Sequence, residues 1–154
     1  MKLDKKVNPK LNQVLKLLLT GINQYFLHSR MFENWGFDQL KSKDYSYSIK
    51  LMKESDTLIK RILFLEGLAN LQDLGSLNIG TDVPEALKGN MIFETDLRQC
   101  LVDTIEYCES VSDFISRDCL TEILEESEEQ IDWLETQQYL LENVGTENYL
   151  QSAI

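Results

Sequence analysis

Seven residues in the middle of a long helical pattern, Ser48-Ile49-Lys50-Leu51-Met52-Lys53-Glu54, combine a methionine, a glutamate, two lysines and two aliphatic side chains. A helix centre of this kind offers side chains to two places, Met52 to one face and Leu51 with Glu54 to another. A thioether is a soft ligand, suited among other uses to haem iron. A carboxylate three residues before a histidine is the spacing with which bundle helices grip a pair of iron ions. The stretch keeps the donor for the first chemistry and lacks the histidine for the second.

Other candidates are weaker. Glu122, Glu125, Glu126, Glu128 and Glu129 form a dense acidic run whose Glu-x-x-Glu spacing is formally a metal pattern. It reads more simply as a solvated or cavity-facing side of a helix. Cys100, Cys108 and Cys119 are an odd count, which favours a reducing cytoplasm over a disulfide framework. Cys100 and Cys108, eight residues apart, are expected to share a helix face as small, half-buried side chains. A net charge of −11 without a basic patch argues against nucleic-acid binding. Met1 to Lys10 carries charges but no apolar core, so no signal peptide is expected, and no apolar run is long enough to span a membrane.

The elements that must position these residues are almost all helical. Only two prolines and seven glycines interrupt 154 residues, and hydrophobic residues make up 43%. The pattern predicts a first helix from about Pro9 to Trp35, with Leu11, Leu15, Leu18, Leu19, Ile22, Tyr25 and Phe26 on one stripe and Gly36 as its stop. A second helix is expected from about Asp44 to Leu71. The aperiodic stretch from Asn70 to Val83 then reads as a crossover. Thr81 or Asp82 can cap a third helix that runs to about Glu109, with Pro84 in its first turn. Ser110-Val-Ser-Asp113 resembles a capping box that opens a fourth helix, lasting to about Val144. Gly145 breaks it, and Thr146 is expected to cap a short fifth helix, Glu147 to Ile154, which is too small to stand alone and is expected to pack on another subunit. One domain over residues 1–154 follows, an all-α, ferritin-like, up-down-down-up four-helix bundle with a long crossover between helices 2 and 3. Folded on paper, it sets position 18 level with 51 to 54, and 94 level with 127 to 130.

Six segments carry a resemblance that covers the whole chain: Ile22-Asn-Gln-Tyr-Phe-Leu-His28, Arg61-Ile-Leu-Phe-Leu-Glu-Gly-Leu68, Asn70-Leu-Gln-Asp-Leu-Gly75, Leu77-Asn-Ile-Gly80, Ile131-Asp-Trp-Leu-Glu135 and Asn148-Tyr-Leu-Gln151. On these the sequence resembles the bacterioferritins. The resemblance implies a hollow cytoplasmic shell of twenty-four subunits that stores oxidised iron. It also implies haem b at subunit two-folds, a di-iron ferroxidase centre inside each bundle, and a ferredoxin-type electron donor.

Met52 falls on the family's haem methionine. By helical spacing its pocket neighbours are Leu19, Ile22, Asn23 and Phe26 on the first helix, with Tyr45, Ile49 and Lys53 on the second. The ferroxidase positions tell otherwise, holding Leu18, Leu51 with Glu54, Glu94, and Ser127 with Gln130. Only Glu94 keeps the family's residue. The sole histidine, His28, lies several turns from mid-bundle. Glu54 with Glu94 is at most a weak residual cation site, since Lys50, four residues earlier, is the simpler partner for Glu54. The reading is a haem-binding shell subunit that supports electron transfer for iron release, without its own di-iron centre, co-assembling with a ferroxidase-competent subunit. The alternatives are a residual ferroxidase using Glu94, Glu54 and nearby carboxylates, and a plain scaffold subunit without haem.

Overall fold

The computed structural model describes residues 1–154. Five helices follow in order: α1 (Val7–Trp35), α2 (Asp38–Phe64), α3 (Val83–Ser110), α4 (Phe114–Val144) and α5 (Thr146–Ala153). The four long helices form the expected ferritin-like bundle, α1 paired with α2 and α3 with α4, joined by the crossover 65–82. None of them is long and apolar enough to cross a membrane.

Gly36 ends α1 as expected. It takes a left-handed conformation at φ 89°, and its N–H closes back on Glu33 and Phe32. The second helix departs from the sequence reading at both ends. It starts at Asp38 rather than Asp44, because nothing between Gly36 and Asp44 breaks a helix and Asp38 favours the positive N-terminal end. It stops at Phe64 rather than Leu71, because Glu66 turns left-handed at φ 61°. Asp82 rather than Thr81 caps α3, accepting from Glu85 N–H at 2.9 Å. At α4 the cap is Asp113 alone. It accepts from Ser116 N–H and is held by Arg61 Nη2 at 2.6 Å, while the Ser110 hydroxyl turns back to Tyr107. Gly145, not Thr146, occupies the cap of α5. That helix buries Tyr149 and Ala153 against the end of its own bundle, with Phe32, Leu40, Leu87 and Leu134. Tyr149 and Ala153 are therefore met within the chain, while Ile154 at the end of the helix stays exposed.

The crossover has no helical or strand hydrogen bonds of its own, so α1 supplies them. Side chains four or eight residues apart accept crossover N–H groups in chain order: Asn12 from Asn70 (2.8 Å), Thr20 from Gly75 (2.8 Å), Gln24 from Asn78 (2.9 Å) and His28 from Gly80 (3.1 Å). Lys16 fills the remaining rung with an ion pair to Asp73 at 3.3 Å. One polar stripe of α1 thus holds the chain that connects the two hairpins.

Candidate functional site

At mid-bundle the register is that expected from the sequence. Ser127 Oγ donates to Glu94 Oε2 at 2.8 Å, which sets α3 and α4 level there. Leu18 and Leu51 are fully buried in the same core cluster. Both oxygens of Glu94 are engaged: Tyr25 donates to Oε1 at 2.9 Å and Ser127 to Oε2, and the Tyr47 hydroxyl adds its pull on the same carboxyl. Burial pushes this carboxyl up to about 7, against the pull of the three hydroxyls. Tyr47 was invisible as a site residue in the sequence. Its only signal is its place four residues before Leu51, on the same inward face of α2.

Glu54 has the opposite problem. Neither of its oxygens finds a protein partner. Lys50, expected to pair with it, reaches instead across to α4 and bonds Glu126 at 2.7 Å. Lys50 thus meets Glu126 across the α2–α4 groove, and the two buried Glu54 oxygens beside that pair are left without a hydrogen bond. Burial first, then the charges of Glu126 and Glu94, push Glu54 up to about 8 in spite of Lys50. Gln130, only 2% exposed, also has both amide atoms unpartnered. Glu54 lines a cavity of about 410 Å³ between α2 and α4, with Lys50, Lys53, Cys119, Glu122 and Glu126. An iron pair bound as substrate does not fit this donor set. Two of the six positions are leucines, two offer only a hydroxyl or an amide, and Glu94 is taken up by hydroxyls.

These buried carboxyls give the protein a pH signature. Asp44 is fully buried, accepts from Asn90 at 3.0 Å, and is pushed up to about 8 by burial. In the folded chain Asp44, Glu54 and Glu94 keep their protons to pH 7 or 8, whereas unfolded carboxyls lose them near pH 4. Their contribution to stability is full below pH 4 and is lost as pH rises through 7 to 8. The melting midpoint should therefore rise when pH is lowered from 8.5 to 6.5, and Glu54→Gln should flatten that slope. Calorimetry that finds the midpoint level across this window contradicts the assignment.

Met52 lies on the outer face of the α1–α2 hairpin, half exposed. Leu19, Ile22 and Ile49 are partly buried beneath that face, and Asn23, Phe26, Tyr45 and Lys53 are exposed on it. Phe26 and Tyr45 meet at a ring separation of 6.4 Å, with Arg30 stacked 5.1 Å from each ring. Ser48 Oγ ties α2 to α1 by donating to Ile22 O at 2.9 Å. An exposed thioether amid exposed aromatic rings fits one half of a haem site, to be completed by a second copy of the face. Elsewhere, all three cysteines are free, and burial raises their thiols. Glu122, Glu125, Glu128 and Glu129 of the acidic run are exposed.

The bundle, its long crossover and its polar centre define a ferritin-like protein, and the ferritin-like domain family matches residues 9–144. The chain is 40% identical over 151 residues to a bacterioferritin of Brucella melitensis, covering 98% of this chain and 94% of that one. It is 40% identical over 139 residues to a bacterioferritin of Mycobacterium bovis, covering 90% and 87%. A bacterial ferritin of Pseudomonas aeruginosa matches at 40% over 152 residues, covering 96% and 98%. The chain belongs to the bacterioferritin family.

Proposed function

We propose that this chain is a subunit of a cytoplasmic iron-storage shell that binds haem b through Met52 and has no working di-iron centre of its own. One observation carries the reading: the Glu94 carboxyl, the single ligand kept from the family pattern, is bonded on both oxygens by the Tyr25 and Ser127 hydroxyls, while Leu18 and Leu51 at two other ligand positions are fully buried. A storage shell needs iron oxidised as it enters, and this bundle offers no set of donors for that step. We therefore assign the oxidation to a second, ferroxidase-competent bacterioferritin subunit in mixed shells of twenty-four. This chain contributes the wall and the haem face.

Haem held between Met52 and Met52 of the partner subunit would supply one-electron transfer for reducing stored iron before release, fed by a ferredoxin-type donor. The chain's own part is to shield that group behind Phe26, Tyr45 and the partly buried aliphatics. The alternative is a residual ferroxidase built on Glu54 and Glu94. It rests on the unpartnered Glu54 carboxyl beside the α2–α4 cavity, and Glu94 gives it little help.

Untagged shells purified from the source and weighed chain by chain should contain this subunit together with a second one. The isolated subunit should oxidise ferrous iron little faster than buffer. One chain mass alone, in shells already carrying an iron core, refutes co-assembly. A fast, saturable burst by the isolated subunit restores the ferroxidase reading.

A further inference from the structure

The chain's single histidine takes no part in the site above, yet His28 is fully buried and both ring nitrogens are engaged. Backbone N–H groups cannot reverse their role, so they fix every orientation around it. Gly80 N–H donates to Nε2 at 3.1 Å, so Nε2 carries the lone pair and Nδ1 carries the proton. Nδ1–H then donates to Asn90 Oδ1 at 2.8 Å. That oxygen also accepts from Gln24 Nε2 at 3.1 Å, while Gln24 Oε1 accepts from Asn78 N–H at 2.9 Å. Asn90 Nδ2 completes the set by donating to Asp44 Oδ2 at 3.0 Å. Two crossover amides, two side-chain amides and one imidazole thus form a closed network that works only with a neutral ring.

We propose that His28 is a proton-operated latch on the crossover. Neutral, it pins residues 78–80 to α1; doubly protonated, it releases them. A second proton on Nε2 would face the Gly80 N–H, setting two donors against each other in a buried place with no acceptor. Gly80 cannot yield toward α3, where an added Cβ would stand 2.6 Å from the Glu85 carbonyl carbon. The segment can only move off α1.

No counter-ion stands ready to hold the ring in place. On α1 its neighbours are Gln24 and the Phe32 ring, 6.1 Å between centroids. From α3 comes Asn90, and from the crossover only the Gly80 backbone. The one acid behind Asn90, Asp44 of α2, is kept protonated by burial, and α5 adds only the Tyr149 phenol beyond it. Burial accordingly holds the His28 imidazole below its ordinary value. The rungs at Asn12 and Thr20 are neutral groups that do not titrate, and the Lys16–Asp73 pair between them is an exposed surface contact, so release is centred on the end of the crossover that leads into α3. Leu68, Leu71, Leu74 and Leu77 are all exposed along that crossover at three-residue intervals. Acid would thereby loosen one end of an apolar surface strip without unfolding the bundle. This inference is independent of the iron and haem assignments.

Hydrogen exchange read by mass spectrometry on the intact assembled protein, from pH 7.5 to 4.5, tests it. After correction for intrinsic rates, protection of the Asn78 and Gly80 amides should fall on the order of tenfold or more, while residues 70–75 stay protected. The midpoint should coincide with the titration of the lone imidazole, followed by histidine-selective isotope labelling. His28→Gln should abolish the midpoint. Asn90→Asp, which sets a carboxylate against Nδ1, should move it up by about one unit or more, and does not depend on the glutamine variant folding. Three outcomes overturn the latch: imidazole titration with unchanged protection, simultaneous loss of protection across all helices, or a midpoint unmoved in Asn90→Asp.

Discussion

Met52→Leu protein should assemble as shells of normal size and show no Soret band. The substitution keeps volume and apolarity, so the face around Phe26 and Tyr45 can pack as before. It removes the only sulfur on that face, and leucine offers no electron pair to iron. Because the proposed two-fold site would repeat one residue on both sides, a single substitution would remove both sulfur donors at once. Loss should therefore be complete rather than partial. Visible spectroscopy and size-exclusion chromatography on one preparation separate the two readouts. Full haem occupancy in the variant would mean another side chain ligates. A parent protein that takes up no haem would favour the bare scaffold.

A second large change should come from rebuilding the bundle centre. Leu18→Glu, Leu51→Glu, Glu54→His, Ser127→Glu and Gln130→His together should give rapid, saturable oxidation of about two irons per subunit where the parent should show none. The structure adds a cost to this design. Leu18 and Leu51 are fully buried, and two carboxylates set there without metal leave uncompensated charge in the core. The metal-free variant should melt well below the parent, and metal binding only to the folded form should recover much of the difference. Tyr47 and Tyr25 will still compete for Glu94, so adding Tyr47→Phe should strengthen the burst. A well-folded quintuple variant that binds metal without oxidising it would show that ligand identity is not the missing factor.

How far the sequence could be read follows from the range of each interaction. Gly36, and a cap at Thr81 or Asp82, were legible because a left-handed stop and a side-chain cap are decided within four residues. The end of α2 was not, since nothing local marks Glu66 as the residue that turns left-handed. The proposal that the bundle has no di-iron centre rests on leucines at 18 and 51 that can be read directly from the sequence. Their effect on Glu94 did not show, because Tyr25, Tyr47 and Ser127 come from three different helices and meet only after those helices are in register. The exchange of Lys50 from Glu54 to Glu126 has the same origin. Spacing along one helix names the available partners, and a facing helix decides among them.

The side-chain rungs of α1 also meter the crossover. Asn12 and His28 are four helical turns and a little more apart, about 24 Å at 1.5 Å per residue. The ten residues from Asn70 to Gly80 span about 33 Å when fully extended, so the crossover follows the helix with modest slack. Each rung accepts a particular N–H, at positions 70, 75, 78 and 80. A single residue inserted between Asn70 and Gly75 would put every later amide out of step with its acceptor. Point substitutions along this connection can be absorbed. Its length cannot drift, and so α1 acts as a gauge that keeps the two hairpins at one fixed offset.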